Sequence, residues 1–400
     1  MLRGVAMGVT AVVAFGVASG GALALQLTGN IKTVDADKAL SAVARPTVAA
    51  PTDPNGGKAL NIVLMGSDDR SGANAALGGK NDGMRSDTTM VMHISADRSR
   101  VELVSIPRDS IVDVPQCPTT SGKLAPAIKN TRFNAAFAQG DIYGKNVESA
   151  ALCTMTTIEH LTDVRMDGFV VVDFSGFEKM IDALGGVQMC IPEAVNSPKA
   201  DHLVLNAGVQ TLNGFTALQY ARARTGEGLG DGSDTNRIGR QQQMMSAIAN
   251  NVLSRNLLTD TPSLIRFLNA ATQSLTMSSN IGSITGLTGL AYSLRNVSPA
   301  TITFMTIPWK SNPADPNTVV WTNAASTVWD NVSHDVPVAT PAGGTATDTP
   351  APTNTNTPAA TAGGAASSTA APPAATPAPS QTKEAGKEAF TGADTTAVCG

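Results

Sequence analysis

The sequence predicts an α/β domain with a largely covered central sheet, and three observations predict it. Short apolar runs with β-branched residues (59–65, 88–95, 100–106, 168–174) alternate with stretches of helical periodicity. An uncharged apolar stretch, 5–27, precedes them, following Arg3. From Val336 the composition collapses to Pro, Ala, Thr and Gly, with no aromatic residue until Phe390, and such a stretch cannot bury a core. The 400 residues therefore divide into a membrane anchor (1–29), a spacer (30–58), one catalytic-sized domain (59–335) and a disordered tail (336–400), with a short helix expected over 383–400.

The elements follow in order. About 23 apolar residues at 1.5 Å each suffice to cross a bilayer core, and the preceding positive charge places the N-terminus inside and the rest outside. The alternative is a cleaved signal peptide, because Ala22-Leu23-Ala24 resembles a cleavage site. Within the domain, 59–65 reads as a buried strand ending at Gly66, and two further strands meet at the turn Asp97-Arg98-Ser99. Residues 110–131 read as irregular, and helices are expected at about 133–140 and 146–162. Ser175-Gly-Phe-Glu178 reads as a capping box that opens a helix stopped by Gly185-Gly186. A short strand at 187–191 and helices at 213–221, 234–254, 262–275 and 282–294 come next. A strand at 301–307 and a helix near 322–331 close the domain. Asp234 is expected at an N-cap.

Several function classes are excluded early. Net charge is −4 and aromatics are 4%, so a general nucleic-acid surface is not expected. The four histidines are scattered without metal or triad spacing, and no GxSxG, HExxH or Walker A motif occurs. The methionines read as core filler. Four cysteines fit an oxidising compartment and allow three pairings. Cys117 and Cys153 flank one excursion and are the expected pair; a bridge from Cys399 back to the core is compatible with the sequence.

What the sequence does offer is a set of Arg/Asp loops at strand ends. Gly66-Ser67-Asp68-Asp69-Arg70 follows the first strand, Arg85-Ser86-Asp87-Thr88 enters the second, and Pro107-Arg108-Asp109 leaves the third. Ligands of open α/β sheets bind beyond strand ends. Far downstream, Arg222-Ala-Arg224 is followed by Asp234-Thr-Asn-Arg237-Ile-Gly-Arg240-Gln241, where Arg237 and Gln241 share a helix face. Planar guanidinium forks match phosphate oxygens, and carboxylates are hard ligands suited to Mg²⁺. Arginine with aspartate around a metal is the equipment of phosphoryl transfer.

With these stretches assembled, the chain resembles the LytR-CpsA-Psr family of cell-wall glycopolymer ligases. Arg132-Phe-Asn134-Ala-Ala136, Asp182-Ala-Leu-Gly185-Gly186-Val187 and Leu212-Asn-Gly214 through Tyr220-Ala-Arg222-Ala-Arg224 complete the match. The resemblance implies an α/β/α sandwich with a central mixed sheet, whose apolar cavity accepts a prenyl chain, behind a single N-terminal transmembrane helix. It implies an enzyme on the extracytoplasmic face of the cell membrane. That enzyme would be a phosphotransferase, moving a glycopolymer from a polyprenyl-pyrophosphate carrier to peptidoglycan and leaving a phosphodiester. It places Asp68 and Asp87 on Mg²⁺ (or Mn²⁺), and Arg70, Arg85, Arg108, Arg132, Arg222, Arg224, Arg237 and Gln241 on the pyrophosphate. Arg85, Asp87, Arg108, Arg222 and Arg224 would carry catalysis. Arg132 stands where relatives commonly have Lys. The cysteines, low Lys content and tail resemble actinobacterial members, which implies arabinogalactan or a related wall polymer as cargo. Two other readings use the same residues: a pyrophosphatase of prenyl pyrophosphates, and a non-catalytic carrier-binding wall regulator.

Overall fold

The computed structural model describes residues 29, 31–47, 57–68, 84–254, 261–339 and 382–399. Eight strands form one mixed sheet: β1 (Lys32–Val34), β2 (Leu60–Ser67), β3 (Ser86–Ile94), β4 (Val101–Ile106), β5 (Gly168–Val172), β6 (Leu275–Ser278), β7 (Ile302–Thr306) and β8 (Phe390–Thr391). Their order is β1-β6-β5-β2-β3-β4-β7-β8. Among the described residues the longer helices are α1 (Ala135–Gly144), α2 (Val147–Thr162), α3 (Phe174–Ala183), α4 (Gly214–Arg222), α5 (Asp234–Ser254), α6 (Thr261–Ser274), α7 (Ile284–Ser293) and α8 (Ala324–Ser333).

Alternation along the strands creates the layers. Successive strand side chains point to opposite faces. Val63 and Met65 pack with Leu152, Met155 and Ile158 of α2 and Trp329 of α8. Ile62 and Leu64 pack instead with Met245 and Ala249 of α5 and Leu290 of α7. Helices thus cover both faces, and this is why the central strands read as continuous apolar runs rather than alternating ones. β2 runs parallel to β5 and antiparallel to β3, and β3 runs antiparallel to β4. The ends of β2, β4 and β5 and the start of β3 therefore share one edge of the sheet.

Four expectations need correction. Residues 30–58 are not only a spacer: β1 pairs with β6, Leu40 is fully buried, and Arg45 donates to both carboxylate oxygens of Glu159 and to the Met166 carbonyl. The tail is not structureless to its end, and 383–400 is not a helix. β8 pairs antiparallel with β7, and Phe390 stacks on Phe304 with centroids 5.2 Å apart, so the tail's single aromatic finds the open edge of the sheet. The irregular stretch 110–131 holds a hairpin, Ile111–Val114 against Ile128–Arg132, whose short half-exposed strands carry little apolar signal. The cap of α3 is Asp173, which accepts from Gly176 N, rather than Ser175. Asn213 and Asn146 cap α4 and α2 in the same way.

The disulfides are Cys117–Cys153, as expected, and Cys190–Cys399. Among the described residues no helix is long and apolar enough to cross a membrane. The apolar stretch 5–27 and the tail residues 340–381 lie outside the described residues.

His93 on β3 is fully buried between Asn61 and Asp335, at 2.8 and 3.0 Å. Burial pushes its pKa below the usual histidine value, and the Asp335 hydrogen bond offsets this only in part. The unfolded chain therefore binds the extra proton first, so stability is full above the unfolded value of about 6.5 and falls as pH drops beneath it. Urea midpoints measured just below that pH should show a shallower decline in His93→Gln than in the parent protein.

Candidate functional site

Each polar residue of the site is placed by an element end. Asp68 follows β2 directly; its N–H donates to the Arg85 carbonyl at 2.9 Å, and its Oδ1 accepts from Arg85 N at 2.5 Å. This pair closes a loop whose residues 69–83, including Arg70, lie outside the described residues. Asp87 is the second residue of β3, and Arg108 comes just after β4, where Pro107 stops the strand. Arg222 ends α4, and Arg224 follows two residues later. Arg237 and Gln241 stand in the first turns of α5. Asp234 is the first helical residue, not the cap; Ser233 Oγ lies 3.4 Å from Asn236 N in that role.

The glycine-rich spacer between α4 and α5 is fixed by Arg240. This arginine is buried, donates to the Leu229 carbonyl at 3.0 Å and to the Ala223 carbonyl, and lies 5.8 Å over the Tyr220 ring. Gly228 needs its positive φ of 70°, and a Cβ there would strike the Ala194 carbonyl. The four arginines of this region therefore divide: Arg222, Arg224 and Arg237 face the site, and Arg240 holds the loop.

The charges neutralise one another. Arg108 pairs with Asp87 and lies 3.4 Å from Asp109 and 3.7 Å from Asp234. Arg224 lies 3.6 Å from Asp234, and Arg237 pairs with Asp234 while donating to the Asp87 carbonyl at 3.2 Å. Burial alone would raise the Asp87 pKa, but Arg108 and Arg237 outweigh it and hold the carboxyl below the usual range. Burial lowers Arg237 to about 10, partly countered by Asp234. Arg222 is held by the face of Phe174, 4.0 Å from its centroid. Gln241 donates to the Ala221 carbonyl at 3.2 Å.

These groups ring one cavity of 1390 Å³. Asp68, Arg85, Asp87, Arg108, Arg222, Arg224, Arg237 and Gln241 all line it, so eight of the expected site residues are brought together. Much of the remaining wall is apolar, including Leu64, Val170, Phe177, Ile181, Leu184, Ile248 and Phe267, while Asp173, Lys199 and Asp201 add further charge. Met90, Met180, Met244 and Met245 also line the cavity, so methionines read as core filler serve as its wall.

Arg132 departs from expectation. It is absent from the cavity wall and lies 3.1 Å from Asp109 Oδ1 and 3.9 Å from Asp315. The hairpin of residues 111–132 carries it behind Asp109, the nearer anion. Asp234 was missed as a site residue, although its three-residue spacing from Arg237 was a usable signal.

Asp68 and Asp87 fit a hard divalent cation by chemistry: two carboxylates, one held ionised by its surroundings, beside arginines suited to phosphate. Among the described residues no three His, Cys, Asp or Glu side chains gather as a protein-only metal cage.

The family model LytR_cpsA_psr matches residues 23–334. The chain belongs to the LytR-CpsA-Psr family. "Cell wall biosynthesis protein LcpA" of Corynebacterium glutamicum is 31% identical over 266 residues, covering 62% of this chain and 50% of LcpA. "Polyisoprenyl-teichoic acid–peptidoglycan teichoic acid transferase TagV" of Bacillus subtilis is 30% identical over 201 residues, covering 49% of this chain and 44% of TagV. The chain thus spans about half the length of these curated relatives. Among solved structures, a LytR-Csp2A-Psr enzyme from Actinomyces oris superposes with a TM-score of 0.51 at 21% identity, covering 76% of this chain and 96% of that one. This likeness supports the mixed α/β fold with its central mixed sheet.

If Arg108 and Arg237 keep Asp87 ionised, Arg108→Met should move the Asp87 titration upward. Carboxyl carbon chemical shifts followed through an acid titration check this; an unchanged midpoint would mean that Arg108 is not its main neutraliser.

Proposed function

We propose that this protein is a phosphotransferase that moves a glycopolymer from a polyprenyl-pyrophosphate carrier to peptidoglycan, forming a phosphodiester link. One observation carries the reading: five arginines converge with Asp68 and Asp87 at a cavity that also has a large apolar wall. Guanidinium groups suit a pyrophosphate, and the apolar walls suit a prenyl chain. The similarity to TagV, a teichoic acid transferase by name, supports the same reaction class.

The chemistry follows from the charges. Arg108, Arg222, Arg224 and Arg237 hold the pyrophosphate oxygens and take up negative charge as it develops. An acceptor hydroxyl of peptidoglycan attacks the sugar-linked phosphorus and forms a new P–O bond. The bridging P–O bond breaks, and polyprenyl phosphate leaves with the electron pair. The hydroxyl proton passes to the departing phosphate or to water. Asp87, held below the usual carboxylate range, is a poor base and a good anionic ligand. Mg²⁺ or Mn²⁺ on Asp68 and Asp87 would neutralise phosphate charge there. The two disulfides support a place outside the reducing cytosol, with residues 5–27 as the anchor in the cell membrane. As cargo we favour arabinogalactan or a related wall polymer, on the resemblance to actinobacterial members.

The test mixes the protein with a labelled prenyl-pyrophosphate glycan and peptidoglycan. Label should appear on peptidoglycan, disappear with EDTA, and fall about 10²–10³-fold in Arg222→Ala or Arg224→Ala, the range seen when one charge-stabilising donor is lost. Full transfer in the double substitution would sink the site assignment. Release of sugar phosphate independent of peptidoglycan would identify a pyrophosphatase, and tight binding without turnover a carrier-binding regulator.

A further inference from the structure

The segment 382–399 does more than complete the sheet. It packs along α5 on the face opposite the substrate side. Arg237, Gln241, Met244 and Ile248 line the cavity, whereas Gly239, Gln242, Gln243 and Asn250 touch the segment. The helical period puts these two sets on opposite sides. Gly239, midway between Arg237 and Gln241, has no room for a side chain, because a Cβ would strike the Ala385 carbonyl. Gly386 has φ of 88°, and a Cβ there would approach the Thr235 carbonyl to 2.6 Å.

Gln242 is the tie. It is fully buried, and its amide is spent on three elements: Nε2 donates to Ser105 Oγ at 2.9 Å on β4 and to Thr306 Oγ1 at 3.2 Å on β7, while Oε1 accepts from Gly386 N at 3.0 Å. Two further contacts extend the seam, Gln243 Nε2 to the Thr396 carbonyl at 3.1 Å and Asn250 Nδ2 to the Gly392 carbonyl at 3.0 Å. Cys399 closes the segment onto Cys190.

We propose that residues 382–399 are a positioning element of the substrate site, pressing α5 from behind so that Arg237 and Gln241 stand where a pyrophosphate meets them. The inference rests on the pyrophosphate reading of the cavity. The segment touches no substrate; it acts through Gly239 and Gln242. A buried amide bonded to two strands and to the segment leaves α5 one seating, and loss of the segment removes one of those three ties.

The experiment uses the full chain carrying an engineered protease site within residues 340–381, with inorganic pyrophosphate as the probe in calorimetry. Intact oxidised, intact reduced and cut oxidised protein should bind alike, since in each the segment stays attached. Cut and reduced protein, with the segment removed by gel filtration, should bind about tenfold more weakly, a coupling of ordinary size. A synthetic peptide of residues 382–400 should restore binding. Unchanged affinity after removal would overturn the proposal, and no binding by intact oxidised protein would defeat the site reading and this inference with it. If the cut protein unfolds once the segment leaves, Gly386→Ala in the uncut oxidised chain decides. Weaker pyrophosphate binding with an unaltered circular dichroism spectrum supports the proposal, and parental binding overturns it.

Discussion

The rest of the structure depends on the mutual neutralisation of arginine and aspartate at one edge of the sheet. Arg237 is almost completely buried, and Arg108 and Asp234 are partly buried. A buried charge is tolerated only when paired and hydrogen-bonded. Asp234 supplies the shared partner, within reach of Arg108, Arg224 and Arg237. On the proposed reading, a pyrophosphate would add anionic oxygens that the planar guanidinium groups can hold. The pre-assembled cations also avoid much of the ordering cost of binding.

That edge exists because of strand direction. The antiparallel order of β2, β3 and β4 brings the end of one strand, the start of the next and the end of the third together. Asp68, Arg85, Asp87 and Arg108, from three separate strand ends, thereby become one wall. α4 and α5 bring the second wall, and Arg240 closes the glycine spacer between them by bonding two carbonyls. Leu64 of β2 and Met244, Met245 and Ile248 of α5 bring apolar side chains to the cavity from the same elements that bring its charges, and α3 and α6 add Phe177, Ile181 and Phe267.

Much of this was legible in the sequence, for physical reasons. Buried central strands announce themselves as apolar runs, and long helices as periodicity. The Arg/Asp loops were recognisable because each sits at the end of such a run. What was not legible depended on tertiary partners. β1 and β8 are too short to signal a strand, and they become strands only against an open edge of the sheet. The separation of Arg132 from the cavity depends on a weak hairpin, and the role of Asp234 on three arginines converging from different elements. The correct cap of α3 was within reach, since Asp173 lies just ahead of Phe174. The folded end of the tail was hinted at only by Cys399 and Phe390, two residue types foreign to the composition around them.

The most direct measurement is a calorimetric comparison of geranyl pyrophosphate, geraniol and inorganic pyrophosphate binding to the protein. The account requires both halves of the cavity to contribute. Geranyl pyrophosphate should bind more tightly than either fragment, and added salt should weaken it and inorganic pyrophosphate together. Equal affinity for geranyl and inorganic pyrophosphate would show that the apolar walls do not take the lipid, and would contradict the account.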